Sequence, residues 1–168
     1  MTPLRSISDG SVRIRFVLDP SDWHGHTSEN LWAEPVIGTD SSDLYRLMSS
    51  PFFAKGVSFQ DVVRARRSDK LEYLDFLETV ERSGHSNYML IKGDDFDNFW
   101  KKLQEMGCTY EGGTINLGSG EVSFYAVDVP PAADIYEVYA VLSDGESQGA
   151  WVFQEGSVGH ALKDNSNN

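Results

Sequence analysis

Up to about residue 83 the apolar residues recur with a period of two, and beyond Ser83-Gly84-His85 that spacing alternates with one of three and four. A period of two sets one face of a strand against a core, and a period near 3.6 does the same for a helix. A chain carrying both in succession is neither a helical bundle nor an all-β body. In the first half Val12-Arg13-Ile14-Arg15-Phe16-Val17-Leu18 alternates, and Asp19-Pro20-Ser21-Asp22 breaks it. Further strands are expected over residues 30–37, where Pro35 suggests an edge or bulge, and over 43–48, 61–66 and 71–81. Turns fall at 38–43 and around Ser68-Asp69-Lys70. Five short strands separated by turns suggest a small curled sheet or barrel.

The second half begins with a strand over residues 86–92, stopped by Gly93-Asp94-Asp95. Phe96, Phe99, Trp100, Leu103 and Met106 then share one helical face, with Gly107 as a C-terminal cap. A short strand over 108–113 ends in a glycine turn, and a longer one spans 121–128. Pro130-Pro131 suits the opening of a second helix, in which Ile135, Val138, Tyr139 and Leu142 share a face and which Ser143-Asp144-Gly145 ends. A last strand covers 150–154. The order strand, helix, strand, strand, helix, strand fits a ferredoxin-like split unit. The expected class is α+β: a barrel-like half over residues 1–83, a ferredoxin-like βαββαβ half over 84–156, and a polar tail over 157–168.

Charge is unequal between these halves. Residues 1–83 hold 10 basic and 13 acidic side chains, net −3, and residues 84–168 hold 4 basic and 13 acidic, net −9. A total of −12 repels polyanions, so duplex DNA, RNA and anionic membranes are poor main partners. No apolar run approaches the length of a membrane span, residues 1–10 lack an apolar leader stretch, and a single cysteine forms no internal disulfide. The expected compartment is a reducing cytoplasm.

Several motifs admit a chemical reading and a plainer one. Asp94, Asp95 and Asp97 could hold a hard cation, yet helix capping accounts for them. His24-Gly25-His26 with Glu29 has transition-metal character, but reads as a polar loop. Glu81, Arg82, Ser83 and His85 place a base, a hydroxyl, a cation and a carboxylate together, the nearest thing to a catalytic set. No nucleophile elbow accompanies them, and a hydrogen-bonded turn between two halves explains them as well. Phe52, Phe53 and Phe59 read as a plug for the barrel end rather than an exposed recognition loop. Gly112-Gly113 and Gly118-Ser119-Gly120 have no phosphate-loop spacing and suggest a flexible hairpin. Cys108 reads as a buried, inert thiol. No metal or cofactor is expected.

Leu31-Trp32-Ala33-Glu34-Pro35, Pro51-Phe52-Phe53-Ala54-Lys55-Gly56, Asp61-Val62-Val63 and Glu81-Arg82-Ser83-Gly84-His85-Ser86 together resemble a bacterial family called domain of unknown function 4265. Gly107-Cys108-Thr109 and Asp128-Val129-Pro130-Pro131-Ala132 extend the resemblance over about residues 12–156. Gln60 stands where the pattern leads one to expect glycine. The resemblance implies a bacterial, cytoplasmic protein and no particular activity.

The charge pattern makes a binding protein the leading expectation: an immunity protein or antitoxin that neutralises a basic toxin, such as a nuclease, by electrostatic complementarity. Its contact set would come from Asp94, Asp95, Asp97, Glu105, Glu111, Glu121 and Glu137, in an acidic half that also holds Asp128, Asp144 and Glu146. Tyr110, Tyr136 and Trp151 would anchor it. The alternatives are a small enzyme or ligand-binding regulator built on Glu81, Arg82, Ser83 and His85, and an RNase or translation-linked adaptor whose Arg64, Arg66 and Arg67 meet RNA.

Overall fold

A computed structural model describes residues 10–38, 42–69 and 72–163. The segments 1–9 and 164–168, the middle of the 38–43 turn, and Lys70 and Leu71 lie outside the described residues. Strands β1 (Val12–Val17), β2 (Ser28–Pro35), β3 (Leu44–Leu47), β4 (Val62–Arg67) and β5 (Leu74–Glu81) form a closed barrel in chain order. Each consecutive pair is antiparallel, so the first and fifth of an odd number run the same way, and β1 and β5 close the barrel in parallel. Register irregularities in the β4–β5 ladder supply the bend that so small a barrel needs. The alternation seen in the sequence sends Ile14, Phe16, Leu31, Ala33, Leu47, Val63 and Ala65 inward, with Arg13, Arg15, Arg64 and Arg66 between them on the outer wall.

The second sheet contains β6 (Ser86–Lys92), β7 (Thr109–Asn116), β8 (Glu121–Val129) and β9 (Trp151–Ser157), in the order β7-β8-β6-β9 and antiparallel throughout. Helix α1 (Phe96–Glu105) connects β6 to β7, and α2 (Ile135–Ser147) connects β8 to β9. Phe96, Phe99, Trp100 and Leu103 of α1 and Ile135, Val138 and Leu142 of α2 share one core with Tyr88, Leu90, Val127, Val129 and Trp151, so both helices cover the same sheet face.

The boundaries differ from expectation where glycine and proline misled. Gly112 and Gly113 lie inside β7, not in a turn. Their neighbours across the ladder are Tyr125 and Phe124, whose rings would lie 3.0 Å from an added Cβ. Helix α2 starts after Asp134, whose carboxylate accepts the Tyr136 and Glu137 amides, rather than at Pro130-Pro131. It continues through Gly145, where a Cβ would lie 2.5 Å from the Trp151 ring. At α1 the N-cap is Asp95, in a left-handed conformation (φ 60°) and without a capping hydrogen bond from its side chain. Gln60 is left-handed too, at φ 66°, the conformation that favours glycine. The described part of the 157–168 tail is attached to the sheet: Ser157 ends β9, and His160 is tied down by Ser86 and Pro130.

The sheet face away from the helices is covered by loops of the barrel. Phe52 and Phe53 pack on Phe124 with centroids 4.9 and 5.3 Å away, while Ala54 and Val57 enter the barrel core. The phenylalanines therefore bind barrel to sheet instead of plugging the barrel. Glu29 fixes this loop by accepting the amides of Phe52, Phe53 and Ala54 at 2.6, 2.9 and 2.9 Å. Trp23 Nε1 donates to Gln154 Oε1 and Asn87 Nδ2 donates to the Pro51 carbonyl, adding two ties across the same interface.

Candidate functional site

Residues 81–86 carry the chain from barrel to sheet, and Arg82, Ser83, His85 and Ser86 are occupied in holding that passage. Glu81 is exposed at the end of β5. Arg82 donates to the carbonyls of Gly56 and Val158 and to Ser157 Oγ, at 3.0–3.2 Å. Ser83 donates its hydroxyl to the Phe59 carbonyl (2.7 Å), and its amide donates to the buried Asp61 carboxylate, which also accepts the Ser58 amide. His85 is 9% exposed, lies edge-on to Phe59, and sets Nδ1 2.8 Å from Asp128 Oδ1. Ser83 Oγ meets the backbone amide of His85, not its imidazole.

The four residues expected as an alternative active site thus come together in the chain without forming a nucleophile–base pair. The carboxylate that orients His85 is Asp128 on β8, the register partner of Asn87, and nothing local in the sequence pointed to it. Asp128 is correspondingly lost from the acidic surface. A second Ser–His contact sits beside the first. His160 Nε2 donates to the Pro130 carbonyl, leaving Nδ1 to accept the Ser86 hydroxyl at 2.6 Å. Ser86 is fully buried and its oxygen also accepts the Gly159 amide, so it is a tether for the C-terminal segment, not an exposed nucleophile. In the 24–29 segment, His24 Nδ1 accepts the His26 amide, His26 Nδ1 binds the His24 carbonyl, and Glu29 serves the 52–54 turn. Each imidazole thus spends its Nδ1 on loop structure, and Glu29 spends both carboxylate oxygens on the turn.

The expected contact residues divide. Trp151 is 1% exposed and donates Nε1 to the Leu142 carbonyl, which removes it as an anchor. Tyr110 is half-buried at the core margin, 4.6 Å from Trp100 and 4.7 Å from Tyr125. Glu111 is half-buried on β7. Asp94, Asp95, Asp97 and Glu105 are exposed on and around α1, whose Lys101 and Lys102 interrupt the negative field. Glu121 is exposed at the start of β8.

Helix α2 is different. Its exposed charges, with the Asp134 cap, are Glu137, Asp144 and Glu146, and the helix sequence holds no lysine or arginine. Tyr136, Tyr139, Ala140, Ser143 and Ser147, spaced by three and four, form one outward stripe. Glu137 and Asp144 flank that stripe on one side and Glu146 on the other. Tyr136 and Tyr139 are 45% and 51% exposed. Lys163 of the C-terminal segment rests its ammonium 5.3 Å from the Tyr136 ring centroid. Tyr139, which the spacing grouped with Ile135, Val138 and Leu142, turns outward while those three are buried, and Ser143 and Ser147 were not singled out as surface residues, although the helical spacing around Tyr136 held the signal.

These features define a mixed α+β protein in which a closed barrel and a helix-covered sheet meet across a buried polar seam. The chain belongs to the family described as domain of unknown function (DUF4265), whose model matches residues 29–153. It is similar in fold to a hypothetical protein from Neisseria gonorrhoeae of known crystal structure, with a TM-score of 0.63 and 17% identity over 90% of this chain and 96% of that one. No curated protein matches it. Among the described residues no helix is long and apolar enough to cross a membrane.

Proposed function

We propose that this chain is an acidic binding protein of the bacterial cytoplasm that neutralises a basic toxin, such as a nuclease, by setting the outer face of α2 on the toxin's cationic surface. The observation that carries the reading is the composition of that face: two exposed tyrosines and small residues in a central stripe, carboxylates on both flanks, and no cation in the helix. Tyrosines surrounded by a polar rim are the usual anatomy of a protein interface. A toxin that binds a polyanionic substrate offers the opposite charge, and complementary fields speed encounter. The contact of Lys163 with Tyr136 is an intramolecular example of the cation–ring pairing such a partner would make. Asp94, Asp95, Asp97, Glu105 and Glu121 contribute to the long-range field rather than to the contact. Residues 84–156 are read here as a ferredoxin-like unit, supported by the βαββαβ order and by β9 lying next to β6.

The test is co-expression with the basic domain of a toxin encoded beside the gene. Wild-type protein restores growth, whereas the doubly reversed Glu137→Lys, Asp144→Lys protein, matched in melting temperature, does not. Equal rescue by both removes α2 from the account.

A further inference from the structure

One end of the barrel holds a cleft of about 400 Å³, far from α2 in the chain, and its lining is unlike the rest of the molecule. Arg13 from β1, Trp32 from β2, Arg67 from the end of β4 and Tyr73 from the approach to β5 all face it. Register explains the convergence: Arg13 pairs with Trp32, and Arg67 pairs with Leu74, the residue after Tyr73. Two guanidinium groups and two large rings therefore share, with the Glu72 carboxylate, one concavity of the size that takes small ligands.

The state of each arginine on this wall separates structural cations from available ones. Arg15 is committed to Asp75 at 3.1 Å and to the Tyr73 hydroxyl at 3.2 Å. Arg64 is committed to Asp43 at 2.7 Å and Glu78 at 3.0 Å. Arg13 is held only loosely, 3.8 Å from a Glu72 carboxylate whose side chain is 85% exposed, and it lies over the Trp32 ring at 5.7 Å. Arg67 makes no ion pair with another described residue. Arg66 on the same wall also makes no ion pair with another described residue but does not line the cleft; the two arginines that do line it, Arg13 and Arg67, both have capacity left. A planar fork of donors matches phosphate, and a ring face matches a base. The half of the chain that carries the cleft is also the nearly neutral one, so an anion approaches it without the repulsion of the other half.

We propose that this cleft binds a nucleotide unit, its phosphate between Arg13 and Arg67 and its base against Trp32 or Tyr73. The unit can arrive as a free nucleotide or as one residue of a single strand, and the measurement distinguishes the two. The proposal is independent of the α2 interface. The probe is the indole N–H resonance of Trp32, assigned by its loss in Trp32→Phe, during titration with adenosine monophosphate, with adenosine and with an eight-residue oligouridylate. Saturable shifts with the monophosphate, at least about tenfold weaker with adenosine, support a free nucleotide. Saturation by the oligomer alone supports a strand. Arg67→Ala and Arg13→Ala, whose side chains are exposed enough to leave the fold intact, each weaken binding by about tenfold or more. Absence of any saturable shift with both phosphate-bearing probes overturns the proposal, as does binding unchanged in both arginine variants.

Discussion

Gly145 shows how one missing carbon sets a packing arrangement. It sits within α2, where alanine would favour the helix by about 1 kcal/mol. The place of that methyl group is taken by the Trp151 ring, 2.5 Å away, and the ring is pinned by its bond to Leu142. Overpacking of this kind costs about 1–3 kcal/mol, so Gly145→Ala is expected to lower the midpoint of denaturant unfolding in spite of its helix propensity. An unchanged or raised midpoint would mean that Trp151 has room to move. Glu29 makes a prediction whose sign follows from burial. Burial raises its carboxyl above the ordinary value, and the three amides of the 52–54 turn offset only part of that rise. The folded protein then binds this proton more tightly than the unfolded chain does, so the group's contribution is greatest in acid and declines as pH rises through its folded pKa. Relative to wild type, Glu29→Gln gains stability as pH rises above the ordinary carboxylate range when both melting curves are recorded, and a relative loss would reverse the assignment. Cys108, 2% exposed, has its thiol pushed up to about 12 by burial. Its alkylation in the native protein is expected to be at least about 100-fold slower than in denaturant, and equal rates would place it at the surface.

At the scale of elements, much of the structure was legible because the signal is local. The Val12–Val17 alternation, the Phe96-Phe99-Trp100-Leu103 face and the Gly107 cap each lie within one element and appear where the spacing puts them. The failures share a cause. Gly112-Gly113 looks like a turn until Tyr125 and Phe124 are known to lie across the ladder, and Gly145 looks like a helix end until Trp151 is known to lie on it. A glycine that makes room for a distant ring cannot be told from a glycine that bends the chain, since the ring's position depends on tertiary packing. The candidate site followed the same rule. Helical spacing held the α2 stripe, but Tyr139 was grouped with the buried Ile135, Val138 and Leu142, and Trp151 and Tyr110 were chosen as anchors without knowledge of which aromatic faces the core. The Asp128–His85 pair spans 43 positions and only the β6–β8 register brings it together.

For the molecule as a whole, barrel and sheet divide the work. The seam between them holds the histidines, serines and aspartates that resemble catalytic groups, and the two surfaces proposed for function face outward. One is the α2 face, on the strongly negative half, and the other is the arginine-lined cleft, on the nearly neutral half. The central claim, that α2 meets a cationic protein, is tested most directly by the association rate with the basic toxin domain, measured by stopped flow at low and high salt. The account predicts rapid, salt-sensitive association for the wild type and at least about a tenfold slower rate for the Glu137→Lys, Asp144→Lys protein at low salt. Equal rates for the two proteins at low salt would contradict it.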